Sequence, residues 1–363
     1  MITNKKLIKS TLVVGLAVLT SRIIGFLRVI IFARFFGTNM YAQAFVVAFK
    51  LPNMLRDMIG EGATNAAIIP VLSEYKHKSS EKEYWEAANV ILNLVSMVAL
   101  VLAVIGVIFA PVIMRIVAPG FYADHEKFAV AVSLARWVFP YIFFLGIIAY
   151  CTGVLNSMHY FLTPAFASSV LNVTMIFSLL VLCPFMGIKG LVVGVLAGGV
   201  LQVAMQVPDM LRRGFKFEMR FQLFHPVALR VIKLMVPRLF GSAIYQMGIL
   251  VDTVIASLTW IVGEGGVNAL DYATRIVHLP LALFGISLAT AALPKMSAEI
   301  AASDSERFKS TISFSLKSIF AITVPAAFGI MALSRPLVKI LFERGEFDSY
   351  STVITSSALF FYA

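Results

Sequence analysis

Residues 21–37, SRIIGFLRVIIFARFFG, hold Arg22, Arg28 and Arg34 at six-residue intervals in an otherwise apolar run. On a straight α-helix that spacing sets the three guanidinium groups about 120° apart, on all sides of the helix. A charge at the centre of a bilayer costs about 2.5–3.5 kcal/mol even on the lenient scale. Such a helix cannot lie against lipid. Either other helices and water enclose it, or it breaks near Ser21 or Gly25. Downstream, FVVAFKLPNMLRDMIGEGA (45–63) places Lys50, Arg56, Asp57 and Glu61 within twelve residues. On a helix Lys50, Asp57 and Glu61 fall within about 40° of one another, with Arg56 about 100° from Asp57. Pro52 frees a backbone carbonyl, and Gly60 and Gly62 loosen the helix further. The chemistry open to these residues is anion binding. Fixed cations in a low-dielectric cavity attract an anion strongly, and guanidinium forks match phosphate oxygens. Pairing with Asp57 or Glu61 would instead hold helices together, but it cannot absorb every arginine, because cations outnumber acids here.

Two further sites lie later in the chain. Arg275, in LDYATRIVHLP (270–280), is a deep cation whose plain partner is Asp271 at i−4. Asp252, in QMGILVDTVIASLT (246–259), is a lone acid with no basic residue in the adjacent turns. It suits a hydrogen bond to Thr253 or to a neighbouring helix, or a cation or proton site of a transporter. Lys50, Arg136 and Arg238 are placed to reach a membrane interface with their long side chains. Other chemistries are missing from the sequence. It has no Walker A, HExxH or GxSxG motif and no DxD pair, and its five histidines form no ligand cluster. Cys151 and Cys183 sit in apolar runs and imply neither a disulfide framework nor a metal site.

The elements that must position these residues are membrane helices. The 363 residues are 60% hydrophobic and 13% charged, with a mean hydropathy of +0.89. A soluble domain averages about 45–50% apolar and 25% charged. The net charge of +11 fits basic loops against an anionic leaflet and is no nucleic-acid footprint. Apolar runs long enough to cross occur at 9–36, 41–72, 86–118, 127–155, 163–185, 190–211, 228–261, 268–297 and 311–341. The first run has no cleavage site after it and is read as a retained span. A tenth begins near Tyr350 and reaches Ala363 after about 14 residues, short of a crossing, so the sequence is expected to stop within a larger fold. Lys5, Lys6 and Lys9, then Lys76, Lys78 and Lys82, then Arg212, Arg213, Lys216 and Arg220, and finally Lys295, Arg307 and Lys309 mark alternate loops. By the positive-inside rule the N-terminus is cytoplasmic. A faint repeat relates Leu51-Pro52 and Pro70-Val-Leu-Ser73 to Leu279-Pro280 and Pro294-Lys-Met-Ser297. The fold expected is an all-α, polytopic, two-lobed transporter bundle of about nine complete membrane helices and a partial tenth. Its lobes are placed at 1–222 and 223–363, with the substrate site between the repeats.

The run SRIIGFLRVIIFARFFG, followed by AFVVAFKLPNMLRDMIGEGATNAAIIPVLSEY, resembles the MurJ (MviN) family. These are the bacterial lipid II flippases of the multidrug/oligosaccharidyl-lipid/polysaccharide exporter superfamily. The similarity continues through APGF (118–121), FPYI (139–142), PAFASSVLNVTMI (164–176), GGVLQ (198–202), the Tyr272-Ala273-x-Arg275 segment and GISLATAALPKMS (285–297). The resemblance implies fourteen helices in two lobes and movement of a lipid-linked peptidoglycan precursor from the inner to the outer leaflet by alternating access. It carries essential cavity arginines onto Arg22, Arg28, Arg56 and Arg275, and a helix-two acid onto Glu61. Asp252 matches a helix-seven acid that contributes to a sodium site in some members. Gln43 stands where many members have Asp, and Asp57 where many have a second basic residue.

The expectation is therefore a non-enzymatic flippase of the bacterial cytoplasmic (inner) membrane, active in peptidoglycan synthesis and cell shape. Arg22, Arg28 and Arg56 would meet the pyrophosphate of lipid II and Arg275 would close on it. Glu61 and Asp57 would space the arginines. A coupling cation, sodium or a proton, would sit at Asp252, and no other cofactor is implied. Peptidoglycan-synthesis proteins are the protein partners implied, and nucleic acid is not. The alternatives are a flippase of another undecaprenyl-pyrophosphate-linked saccharide and a non-transporting scaffold for cell-wall synthesis.

Overall fold

The structure is a computed structural model. It describes the backbone of residues 4–218, 222 and 224–363, and the side chains in that range from residue 15 onward except those of Glu61, Ala63, Leu283 and Ile286. Of the charges used for orientation, Arg220 and the side chains of Lys5, Lys6 and Lys9 lie outside the described residues. The described residues form helices, turns and loops, with no strand among them. They divide into two compact units, one of residues 1–32 and 40–263, the other of 33–39 and 264–363.

The first unit runs through α1 (Asn4–Phe36, whose last turn belongs to the second unit), α2 (Met40–Arg56), a π-helical segment (Asp57–Ile68), α3 (Ile69–Lys78) and α4 (Glu81–Val117). It continues with α5 (His125–Val138), α6 (Tyr141–Ser157), α7 (Leu162–Val181), the short α8 (Cys183–Met186), α9 (Ile188–Leu211), α10 (Pro226–Ser257) and α11 (Thr259–Val262). Local chemistry sets several boundaries. Ser80 and Glu83 make a reciprocal capping box at the start of α4, and Asp124 accepts from the amides of Glu126 and Lys127 to start α5. The main packing pairs are α7 with α9, α4 with α6, α2 with α5, α6 with α9, and the π segment with α10. At one end, Ile68, Leu72, Tyr84, Trp85, Val154 and Val231 share a core, and the Tyr84 hydroxyl lies 3.0 Å from Ser157 Oγ. At the other end of α10, Gly120 fits against the backbone of Ser257, and its amide donates to Ser257 Oγ at 3.2 Å. An ion pair ties Glu74 of α3, beyond the expected span 41–72, to the second turn of α10, Arg230 NH2 to Glu74 Oε2 at 2.6 Å.

Hydrogen bonds from Arg230 and Lys78 hold the Glu74 carboxyl below its ordinary value near 4.5. A depressed carboxylate contributes stability above its unfolded pKa and loses it as pH falls through the folded one. Glu74→Gln should therefore lower the thermal unfolding midpoint at pH 7. The gap to the parent should shrink below about pH 4.5, and it should be small throughout because the pair is exposed.

The second unit packs α12 (Gly266–Pro280), a π segment (Leu281–Ile286), α13 (Ser287–Ala301), α14 (Ser305–Ala332), α15 (Ser334–Phe342) and α16 (Ser349–Tyr362) around residues 33–39. Its centre is an aromatic trio, Tyr272, Phe342 and Phe347, with ring centroids 5.2–5.6 Å apart. The Tyr272 hydroxyl donates to the Gly37 carbonyl at 2.8 Å, the Glu346 amide donates to the Arg34 carbonyl at 2.9 Å, and Thr38 Oγ1 lies 2.8 Å from Ser351 Oγ. Removing one partner of a buried bond costs about 1–3 kcal/mol. Tyr272→Phe should lower the unfolding midpoint accordingly, and thermal unfolding in detergent measures it.

Among the described residues, seven helical stretches are long and apolar enough to cross a membrane: Gly15–Phe36, Glu81–Val117, His125–Ser157, Leu162–Val181, Ile188–Leu211, Pro226–Ser257 and Ser305–Ala332. The remaining two expected spans, 41–72 and 268–297, are helical but broken. Each enters a π segment within a few residues of a Leu-Pro pair, Leu51-Pro52 and Leu279-Pro280. Proline removes a helix hydrogen bond and crowds the preceding turn, and in both spans the π segment follows it. The faint repeat read from the sequence thus has a physical counterpart. A second likeness joins the Gly120-Phe121 and Gly345-Phe347 corners. Each glycine lies against helix-terminal backbone, each phenylalanine is buried, and each corner leads into an aspartate-capped helix.

Candidate anion-binding site

Helix α1 is continuous through Ser21 and Gly25, so the break considered from the sequence does not occur. Ser21, Gly25 and Arg28 follow an i, i+4, i+7 spacing and share a face, and that face lies on α7. A Cβ on Gly25 would come within 3.3 Å of Asn172 Nδ2, which donates to the Ser21 carbonyl at 3.4 Å. The same face brings Arg28 NH1 to 3.1 Å from Met175 Sδ. Arg28 is half-buried, whereas Arg22 and Arg34 are exposed. Arg22 makes no ion pair among the described residues.

Arg28 and Arg56 both act electrostatically on the Tyr141 hydroxyl at the start of α6. That hydroxyl donates to Gln202 Oε1 of α9 at 3.2 Å, and Gln202 Nε2 donates to the Ala167 carbonyl of α7 at 2.9 Å. An aromatic series sets the spacing of the three helices: Phe32 of α1, Phe45 and Phe49 of α2, and Tyr141, with successive centroids 5.7–6.0 Å apart. Tyr141 and Gln202 carry no charge and have no motif around them, so side-chain type alone did not single them out. Both lie in blocks, FPYI and GGVLQ, that carry the family resemblance.

Arg56 pairs with its neighbour Asp57, Nε at 3.3 Å and NH2 at 3.0 Å from one carboxylate oxygen. The two side chains are 38% and 35% exposed, and an exposed pair is worth about 0–1 kcal/mol. An incoming anion can therefore displace the carboxylate. Arg275, in the second unit, is held by Asp271 one turn earlier, Nε to Oδ2 at 2.9 Å and NH2 to Oδ1 at 3.3 Å, as the i−4 spacing suggested. Asp57 and Glu61 do not continue a simple helical stripe from Lys50. The π segment starts at Asp57 and widens the turn, so the angles drawn for an α-helix do not apply beyond it. The Glu61 side chain lies outside the described residues.

Asp252 is half-buried on α10 and makes no hydrogen bond or ion pair among the described residues. The Thr253 hydroxyl donates instead to the Ile249 carbonyl at 2.7 Å. No group of three or more metal-ligating side chains occurs among the described residues.

The family profile described as "Lipid II flippase MurJ" matches residues 32–363. The lipid II flippase MurJ of Burkholderia cenocepacia is 33% identical over 360 residues, which covers 97% of this chain and 69% of the relative. The probable lipid II flippase MurJ of Vibrio cholerae is 30% identical, covering 98% and 70%. A solved structure titled "Lipid II flippase MurJ, inward closed conformation" superposes with a TM-score of 0.83 at 28% identity, over 96% of this chain and 71% of that one. An inward-facing multidrug resistance transporter of the MATE family shares the fold, with a TM-score of 0.71 at 15% identity over 94% of this chain and 76% of that one.

Proposed function

Since this chain belongs to the lipid II flippase MurJ family and translocates lipid II across the membrane, we propose that Arg28 and Arg56 hold the pyrophosphate of that lipid in the first unit. The observation that carries this reading is that the helices bearing them, α1 and α2, are joined to Tyr141 by one ring series, Phe32, Phe45, Phe49 and Tyr141. Two guanidinium forks on different helices can divide two phosphates between them, and each charge-assisted hydrogen bond is shorter and stronger than a neutral one. Asp57 is the resting partner of Arg56 and yields it to the substrate. Arg22, exposed on the same helix as Arg28, draws the anion inward. Arg275 is held by Asp271 until substrate competes for it.

Transfer runs from the inner to the outer leaflet of the cytoplasmic membrane by alternating access, with the N-terminus cytoplasmic and no covalent bond made or broken. Asp252 is the one acidic residue in 246–259, and a single carboxylate suits a monovalent cation or a proton rather than a divalent metal. Either would neutralise the acid. Asp252→Asn should abolish any dependence of transfer on a sodium or proton gradient, read by collapsing each gradient in turn. Gradient dependence unchanged in the variant would remove Asp252 from this role.

The reading is tested by reconstituting the chain in liposomes with labelled lipid II and scoring the label's accessibility in each leaflet. Transfer should be competed by polyprenyl pyrophosphates and not by a neutral polyprenol. Equal competition by the neutral lipid would count against a pyrophosphate site.

A further inference from the structure

On the far side of α6 from Tyr141 lies a cavity of about 430 Å³ between α4, α6 and α9, open on one side and lined by Leu92, Leu100, Phe143, Ile147, Phe215 and Phe217 among others. Tyr141 and Phe143 are two positions apart, about 200° around a helix, so the groove and the arginine cluster occupy opposite faces. Ile147 and Tyr150 return to the Phe143 face at i+4 and i+7. The groove has a built rim. Residues Lys216–Glu218 run extended along α4 and are fastened by two buried asparagines. Asn89 Nδ2 donates to the Lys216 carbonyl at 2.9 Å, Asn93 Nδ2 to the Glu218 carbonyl at 2.9 Å, and the Glu218 amide to Asn89 Oδ1 at 2.9 Å. This clamp sets Phe215 and Phe217 into the groove wall and leaves Lys216 facing outward.

The rim is basic. Arg212 and Lys216 are exposed and make no ion pair among the described residues. Arg213 is turned away, 3.6 Å from Asp209 and over the Tyr160 ring at 4.0 Å. The acids near the rim are Glu81 of α4, whose Oε1 would lie 3.4 Å from a Cβ on Gly214, and Glu218 on the strap and Glu86 on α4, both of which have partners of their own.

We propose that this groove is a resident site for an anionic glycerophospholipid, one acyl chain lying between α4 and α6 and the headgroup phosphate bridging Arg212 and Lys216. An apolar slot in membrane helices with unpaired cations at one end matches an anionic amphiphile and not a water-soluble ligand. Lipid II held at Arg28 and Arg56 has α6 between its pyrophosphate and this slot, which favours a second lipid over the substrate's own tail.

The test uses the whole chain purified in detergent. Retained lipid is measured by native mass spectrometry and affinity by titration with dioleoyl phosphatidylglycerol or dioleoyl phosphatidylcholine. Phosphatidylglycerol should bind more tightly, and Arg212→Ala with Lys216→Ala should reduce that preference by about five-fold per cation. Ile147→Trp should weaken both lipids by filling the slot, while Arg28→Ala should leave both unchanged. Equal binding of the two lipids by the parent, an unchanged preference in the Arg212/Lys216 variant, or displacement of the retained lipid by lipid II alone would overturn the proposal. The two cations are exposed, so their removal leaves the fold intact even where the tryptophan variant does not fold.

Discussion

Lipid II transfer should fall at least a hundred-fold when Arg28 and Arg56 are both replaced by alanine, while the protein should still insert and stay monodisperse. Hydrogen bonds to charged groups are worth about 1.5–3 kcal/mol each, so two lost guanidinium anchors remove about 3–6 kcal/mol of substrate binding. Neither side chain is part of the packed core, Arg28 being half-buried and Arg56 38% exposed. Folding should therefore tolerate their loss. The two single variants separate the roles. Arg28→Ala removes a group aimed between α7 and Tyr141, whereas Arg56→Ala also frees Asp57, a carboxylate that then repels the substrate. Lysine at either position restores the charge but not the fork and should recover only part of the rate. The leaflet-accessibility assay with labelled lipid II reads all five variants. Undiminished transfer by the double variant would dismiss this pair as the substrate anchor.

The largest expected loss of stability comes from the two corners. At Gly345 φ is +63°, and a Cβ there collides with the Arg34 carbonyl. At Gly120 a Cβ collides with the carbonyl of Ser257 and would lie 2.9 Å from Leu258 Cα. In both cases the obstacle is backbone, which cannot swing aside as a side-chain tip can. Left-handed strain, present at Gly345 only, costs about 1–3 kcal/mol, and forcing a side chain into fixed backbone costs a similar amount or more at both. Gly345→Val and Gly120→Val should each cost about 3 kcal/mol or more, seen as a loss of folded yield and a lower unfolding midpoint. Gly248→Ala, where an added Cβ meets nothing within 4 Å, should be neutral or slightly stabilising.

Hydropathy located most helices to within a few residues. The run expected at 86–118 is Glu81–Val117, started by Ser80 and Glu83, and that at 190–211 is Ile188–Leu211. The run at 311–341 is instead two helices, α14 and α15, parting at Leu333 just before Ser334-Arg-Pro. Helical wheels misled where the helix is not α. Pro52, Gly60 and Gly62 warned of distortion after Lys50, but a π turn cannot be told from a kink by residue type. Within α1 the spacing of Arg22, Arg28 and Arg34 was plain, yet nothing local distinguishes the one that turns inward. That choice is made by Gly25 and Asn172, which bring α1 and α7 together beside Arg28. Arg275 shows the opposite case, since its partner at i−4 was readable because both groups share one helix. Tyr141 and Gln202 depend on three helices meeting, and that kind of contact leaves no periodic trace in a single sequence.

Because residues 33–39 complete the second unit, its core is assembled from pieces made far apart in time. The Gly37 carbonyl leaves the ribosome 235 residues before the Tyr272 hydroxyl that binds it, a delay of roughly 10–50 s at bacterial synthesis rates. The first unit's own corner closes sooner, after 137 residues, and Gly120 and Ser257 are both in place before residue 264 is added. A gene split after residue 263 should therefore give an N-terminal half that holds its shape alone. Its C-terminal half should be degraded unless the two are made in the same cell.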